Sequence, residues 1–123
     1  MIIALDVGDK RVGIAVARPP SLIPTQLETV LRKDAEKRIL DLINKDKVET
    51  VVVGLPLSET DNFTEQAESI KRFATRLKKR AQVKIEFVDE YSSSEEAKER
   101  IRLVGGSIDA ISAQVILERY LNA

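Results

Sequence analysis

The first sixteen residues, MIIALDVGDKRVGIAV, constrain the fold more than any other stretch of the chain. An apolar run, Ile2 to Leu5, meets Asp6. Val7, Gly8, Asp9, Lys10 and Arg11 follow, and Val12 to Val16 is apolar again. Two short apolar runs joined by a charged, glycine-containing segment predict a buried strand, a tight turn and a returning strand. Asp6 stands where the first strand ends, inside otherwise apolar sequence. A carboxylate there is costly to desolvate unless a cation meets it. The cation is either a metal ion or a neighbour such as Lys10 or Arg11. Asp6 is therefore the first candidate metal ligand, and Lys10 and Arg11 are the nearest candidates for contact with a substrate phosphate.

The rest of the chain supplies the partners for that hairpin. Arg18-Pro19-Pro20-Ser21 reads as a turn, and Gln26 to Val30 as a third strand, so the chain opens with an antiparallel meander. Ala35, Ile39, Leu42 and Ile43 recur at helical spacing and predict an amphipathic helix from Lys33 to about Lys45. Glu49-Thr50-Val51-Val52-Val53-Gly54-Leu55-Pro56 is a β-branched buried strand that Pro56 prevents from continuing. Asn62 and Glu65 stand in capping-box register before a long helix whose buried face is Phe63, Ala67, Ile70, Phe73, Ala74 and Leu77. Lys78, Lys79 and Arg80 close it in the sense that favours the helix dipole. Val83 to Val88 alternates as a fifth strand and runs into Asp89-Glu90. Ala97, Ile101 and Val104 mark a short helix that Gly105-Gly106 breaks. Ser107 caps a final, well-buried helix containing Asp109.

Strands four and five each follow a helix, and right-handed crossovers set them parallel to strand one, on the side away from the meander. The expected architecture is one α/β domain over residues 1–123, a five-stranded mixed sheet of order 3-2-1-4-5 with helices on both faces. In such sheets ligands sit at the carboxyl ends of the parallel strands. Those ends carry Asp6-Val7-Gly8, Gly54-Leu55-Pro56 and Asp89-Glu90. Asp109, in the first turn of the last helix, joins them if that helix packs over strand one. Three such acids can hold two divalent ions about 3.5–4 Å apart, an arrangement that activates water and stabilises the leaving oxygen of a phosphodiester. Each acid has a plainer role open to it: an ion pair for Asp6, a solvated loop charge for Glu90, dipole compensation for Asp109.

Composition narrows the chemistry. The chain has no His and no Cys, so imidazole bases, thiolate zinc sites and disulfides are excluded. A bound metal must take oxygen ligands, which suits Mg²⁺ or Mn²⁺. Twenty basic residues balance twenty acidic ones, so no global basic field marks a nucleic-acid binder and any phosphate-binding patch must be local. No apolar run approaches the roughly 20 residues that span a membrane. The N-terminus also lacks the basic segment and cleavage site of a signal peptide.

LDVGDKRVGIAV, VVVGLP, FVDE and SIDAISAQVILERYL together resemble the YqgF-type family of RNase H-like proteins. These are described as Holliday junction resolvases or as nucleases that mature the end of pre-16S ribosomal RNA. The similarity runs over essentially the whole chain, and LDVGDKR with a downstream GLP is specific where an isolated D-x-G is weak. The resemblance implies an RNase H-like fold and a cytoplasmic hydrolase. It also implies Mg²⁺- or Mn²⁺-dependent cleavage of pre-rRNA or branched DNA, as monomer or homodimer and with the ribosome as a further partner. Matched residue by residue, it assigns catalysis and metal binding to Asp6, Glu90 and Asp109, with Asp89 as an accessory. Two departures are visible. Tyr91 and three serines follow Asp89-Glu90 where the family has Arg, and the loop Leu103 to Ser107 carries no basic residue. Two other classes remain open. One is a nucleotide-binding relative of the actin and Hsp70 type, which needs a second such domain. The other is a non-catalytic, ribosome-associated binding module.

Overall fold

The computed structural model describes residues 1–56, 65–89, 97, 99–100 and 108–122. Its elements are β1 (Ile2–Val7), β2 (Arg11–Ala17), β3 (Thr25–Leu31), α1 (Arg32–Asp46), β4 (Thr50–Leu55), α2 (Glu65–Arg80), β5 (Lys84–Asp89) and α3 (Ile108–Leu121). The strands form a single sheet of order β3-β2-β1-β4-β5, as the crossover rule requires. β1 pairs antiparallel with β2 and parallel with β4, and β5 lies parallel to β4.

Strand alternation divides the sheet into two apolar faces. Ile3, Leu5 and Val7 of β1 pack with Ala35 and Ile39 of α1 and with Phe73 of α2. Ala4 of β1 faces the other way and packs with Ala15, Ala17 and Val52 against Ile116 and Leu117 of α3. The α3 face of the sheet is thus built from small side chains, which lets a buried helix lie close to it. Seven residues of α3, Ala110 to Ala113 and Val115 to Leu117, are buried. That burial explains why this helix is apolar around most of its circumference rather than along one stripe.

The element ends follow from hydrogen bonding. α1 begins at Arg32, one residue before the expected Lys33, because the Arg32 N–H donates to the Lys10 carbonyl at 2.7 Å and prolongs the ladder to the very start of the helix. It ends at Lys47, which adopts the left-handed conformation (φ 52°) and caps the Ile43 carbonyl. β5 begins at Lys84, not Val83, because pairing starts where the Lys84 N–H reaches the Glu49 carbonyl at 3.0 Å. Ala97, Glu99 and Arg100 are helical. The rest of the expected short helix, the Asn62 cap and the loop from 103 to 107 lie outside the described residues.

Candidate active site

Three strand ends meet at one edge of the sheet. β1 delivers Asp6 there, β4 ends in Gly54 and Leu55, and β5 ends in Asp89, which pairs with Leu55. The hairpin between β1 and β2 is tight, with the Gly8 N–H donating to the Arg11 carbonyl at 2.8 Å. A side chain on Gly8 would meet that same carbonyl at 2.9 Å, so the turn is compatible with glycine and crowded for anything larger.

Asp6 pairs directly with Gly13 of β2. Directly opposed residues in an antiparallel pair share a sheet face, and here it is the α3 face, on which Ala4 and Ala15 also lie. Gly13 is where α3 lands. A Cβ at Gly13 would stand 1.9 Å from the Asp109 carbonyl oxygen and 2.8 Å from the Ala110 nitrogen. The first turn of α3 therefore rests on the bare backbone of β2, beside the residue opposite Asp6. Asp6 and Asp109, 103 positions apart in the chain, arrive at one face of one edge. The helix touches β2 as well as β1, a closer approach than packing over β1 alone required.

Glu90 lies outside the described residues. Asp89 is the last residue of β5. Val88 packs on the α3 face, whereas Ile85 packs with the α1 and α2 core, so alternation assigns Asp89 to the face away from Asp6. The Asp89 carbonyl accepts from Arg119 Nη1 at 3.0 Å, which ties the far end of α3 to β5. Among the described residues no group of three acids is gathered in metal-ligand fashion. The pair Asp6 and Asp109 presents carboxylate oxygens alone, the donor type that hard divalent cations take.

A cation already meets one of these acids. Arg11 Nε donates to Asp109 Oδ2 at 3.1 Å, with the Arg11 side chain 60% and the Asp109 side chain 26% exposed. The pair bridges the hairpin to α3 at the edge of the site. Being largely solvated, it adds little stability. Arg11→Ala is expected to change the unfolding free energy by less than about 1 kcal/mol, measurable in a urea titration. Lys10 is exposed and borders a surface depression with Asp9, Leu31, Arg32 and Lys33.

Arg32 is the residue that sequence reasoning passed over. Its Nη1 donates to the Gly8 carbonyl at 2.8 Å, and its Nη2 donates to Ser69 Oγ at 3.1 Å. Its guanidinium carbon lies 5.1 Å from the centre of the Phe73 ring. With its backbone N–H on the Lys10 carbonyl, Arg32 holds the Asp6–Arg11 hairpin from two sides and fastens it to α2. Burial first, then repulsion from Arg76, pulls its pKa below the usual arginine value, with Asp9 acting in the opposite sense. Arg32→Met keeps the stem and removes the donors. It is expected to cost about 1.5–3 kcal/mol in the same urea titration, the range for hydrogen bonds from a charged group. An unchanged midpoint would show that the clamp contributes nothing.

A family profile described as RuvX, Holliday junction resolvase, matches residues 1–123. The chain belongs to this family. Two curated relatives of this RuvX chain carry the name "Putative pre-16S rRNA nuclease". That of Synechococcus sp. (strain ATCC 27144) is 37% identical over 98% of this chain and 87% of that protein. That of Chloroflexus aurantiacus (strain ATCC 29366) is 34% identical over 100% of this chain and 87% of that protein. Among solved structures, Thermus thermophilus RuvC in complex with a Holliday junction substrate superposes with TM-score 0.60. The match is 16% identical and covers 98% of this chain and 94% of that one. The fowlpox virus Holliday junction resolvase gives 0.57 at 11% identity, over 98% and 96% of the two chains. At these identities the structures speak for the fold, and that fold is RNase H-like. No helix among the described residues is long and apolar enough to cross a membrane.

Proposed function

We propose that this RuvX-family chain is a metal-dependent nuclease that hydrolyses phosphodiester bonds in structured RNA, acting in the cytoplasm in maturation of the 5′ end of pre-16S rRNA. The observation that carries the reading is the landing of α3 on Gly13, which brings the Asp109 backbone beside the strand position opposite Asp6. In this reading Asp6, Glu90 and Asp109 hold two Mg²⁺ or Mn²⁺ ions, with oxygen as the only donor. When bound, such ions neutralise charge on the scissile phosphate and activate water.

The chain's own residues have separate tasks. Gly13 lets Asp109 approach the sheet. Arg11 balances Asp109 while the site waits for substrate and then meets a phosphate oxygen, which a guanidinium can grip with two donors at once. Lys10, exposed beside it, contacts a neighbouring phosphate as a point charge. Arg32 keeps the hairpin that carries Asp6 and Arg11 in register with α2. The name shared by the curated relatives favours RNA. The family description and the likeness to RuvC support a second reading, a cutter of four-way DNA junctions, which would need a two-fold dimer to place two sites symmetrically.

The test is cleavage of an end-labelled pre-16S rRNA fragment and of a four-way DNA junction, each with Mg²⁺, with Mn²⁺ and with chelator. Metal-dependent cutting of the RNA is expected. Cutting of the junction alone would transfer the assignment to the second reading. Failure on both substrates in both metals would remove the enzymatic reading.

A further inference from the structure

The chain is electrically neutral overall, yet α2 is not. Between Glu65 and Arg80 it carries six basic residues against two glutamates. Lys78, Lys79 and Arg80 lie in its last turn and suit the dipole there. Arg72 and Arg76 lie in mid-helix, where the dipole gives them no advantage. Arg72, Arg76 and Arg80 recur every fourth residue, so they form one ladder with an axial step of about 6 Å. Like charges at this spacing destabilise a helix.

The ladder faces α1. Glu68 heads the same row and shares a surface depression with Lys71, Arg72, Thr75 and Arg76, so two carboxylates, Glu68 and Glu36, stand against the three arginines. Glu36 of α1 is shared between two rungs, with Oε1 3.8 Å from Arg76 Nε and Oε2 3.4 Å from Arg80 Nη1. The Arg32 guanidinium lies over Phe73 and on Ser69 of the same helix, and Arg76 and Arg72 both lower its pKa. Arg76 and Arg80 remain 53% and 62% exposed, and Arg72 is exposed too. The ladder has a direction. α2 begins near the sheet edge where β1 and β4 end, and Arg32 joins Ser69 of α2 to the Gly8 carbonyl at that edge. From there Arg72, Arg76 and Arg80 lead away down the face opposite α3. Lys10 and Lys33, both exposed, stand at its head, with Asp9 and Arg32 in the same depression.

We propose that the exposed basic row of α2 is a track for the sugar–phosphate backbone of the nucleic-acid strand flanking the cleavage point, with Arg72 and Arg76, which line one depression on that helix, as its phosphate contacts. This rests on the nuclease reading and adds to it the path of the substrate outside the reacting centre. A polyanion with regularly spaced phosphates offsets the repulsion along the ladder, and a segregated positive strip on a neutral protein orients such a strand without raising affinity for anions everywhere.

The test is binding of a labelled RNA hairpin with a single-stranded extension to the full chain. Fluorescence anisotropy is read in chelator, so that nothing is cut, over a series of KCl concentrations. Arg72→Ala/Arg76→Ala is expected to bind roughly tenfold more weakly at low salt. The slope of log K against log[KCl] should be shallower by about 1.4, the value for two lost single-strand phosphate contacts. Arg72→Lys/Arg76→Lys should restore most of the slope. Arg18→Ala/Lys47→Ala removes the same charge at the opposite sheet edge, where these residues border Pro19 and Glu49, and should leave the slope unchanged. An unaltered slope in the α2 pair overturns the track. So does an equal loss in the far-edge pair, which would mark a mere net-charge effect. Either result leaves the nuclease reading intact as long as the wild-type chain cuts. A wild-type chain that neither binds nor cuts nucleic acid overturns both.

Discussion

Gly13→Ala is expected to be the most damaging single substitution in this protein. One methyl group at this position would stand 1.9 Å from the Asp109 carbonyl oxygen and 2.2 Å from its carbon. Both are backbone atoms of a helix, so no side-chain rotation relieves the clash, and α3 must lift from β2. Overpacking typically costs about 1–3 kcal/mol and sometimes more. The penalty should lie at or beyond the top of that range, because displacing α3 also loosens the small-residue layer of Ala4, Ala15 and Ala17 beneath Ile116 and Leu117. A fall in melting temperature of roughly 10 °C is expected in a thermal scan. Any folded fraction should have lost the approach of Asp109 to Asp6, so its divalent-ion affinity, read by Mn²⁺ calorimetry, should fall with it. A Gly13→Ala protein that melts with the wild type and binds Mn²⁺ equally would show that the helix N-terminus has room to move, and the convergence of the two acids would lose its structural basis.

The sheet was legible because its signals are local. Each strand is a short apolar run with its own turn residues, and the handedness of crossovers converts their order into a topology. The position of Asp6 at the end of β1 is legible for the same reason: a charge inside an apolar run stands out at any distance from its partners. The role of Gly13 is only half legible, although Val12-Gly13-Ile14 does contain its signal. A glycine inside a strand marks a place where another backbone comes close, but nothing nearby says that the visitor is the chain near residue 109. Arg32 was missed for a related reason. It sits just before the helical periodicity begins, and its partners Gly8 and Ser69 are 24 and 37 positions away. The basic residues of α2 are visible in the sequence, and Lys78, Lys79 and Arg80 do close the helix. The sharing of Glu36 between Arg76 and Arg80 is not visible there, because it depends on α1 packing alongside α2.

Asp6→Asn is the substitution that separates chemistry from fold. The amide has nearly the shape of the carboxylate, so the exchange tests charge alone at the end of β1. Asp6 faces α3 opposite Gly13 and is partly buried, and the layers on either side, from Leu5 to Ile14 and from Ala4 to Ile116, are held by apolar packing. The variant is therefore expected to fold and to melt in one cooperative step. Divalent-ion binding should weaken sharply, since an amide oxygen carries no net charge with which to neutralise a cation. Metal-assisted stabilisation of a transferring phosphate is worth several kcal/mol. Loss of even half of it lowers the rate by roughly a hundredfold, and cleavage of the pre-16S rRNA fragment should fall by at least that factor. Calorimetry with Mn²⁺ distinguishes the causes without reference to turnover: a heat signal lost together with activity makes Asp6 a ligand. If Asp6→Asn binds Mn²⁺ as the wild type does and cuts as fast, the carboxylate serves only the hairpin, and the ions must be sought elsewhere on the sheet edge.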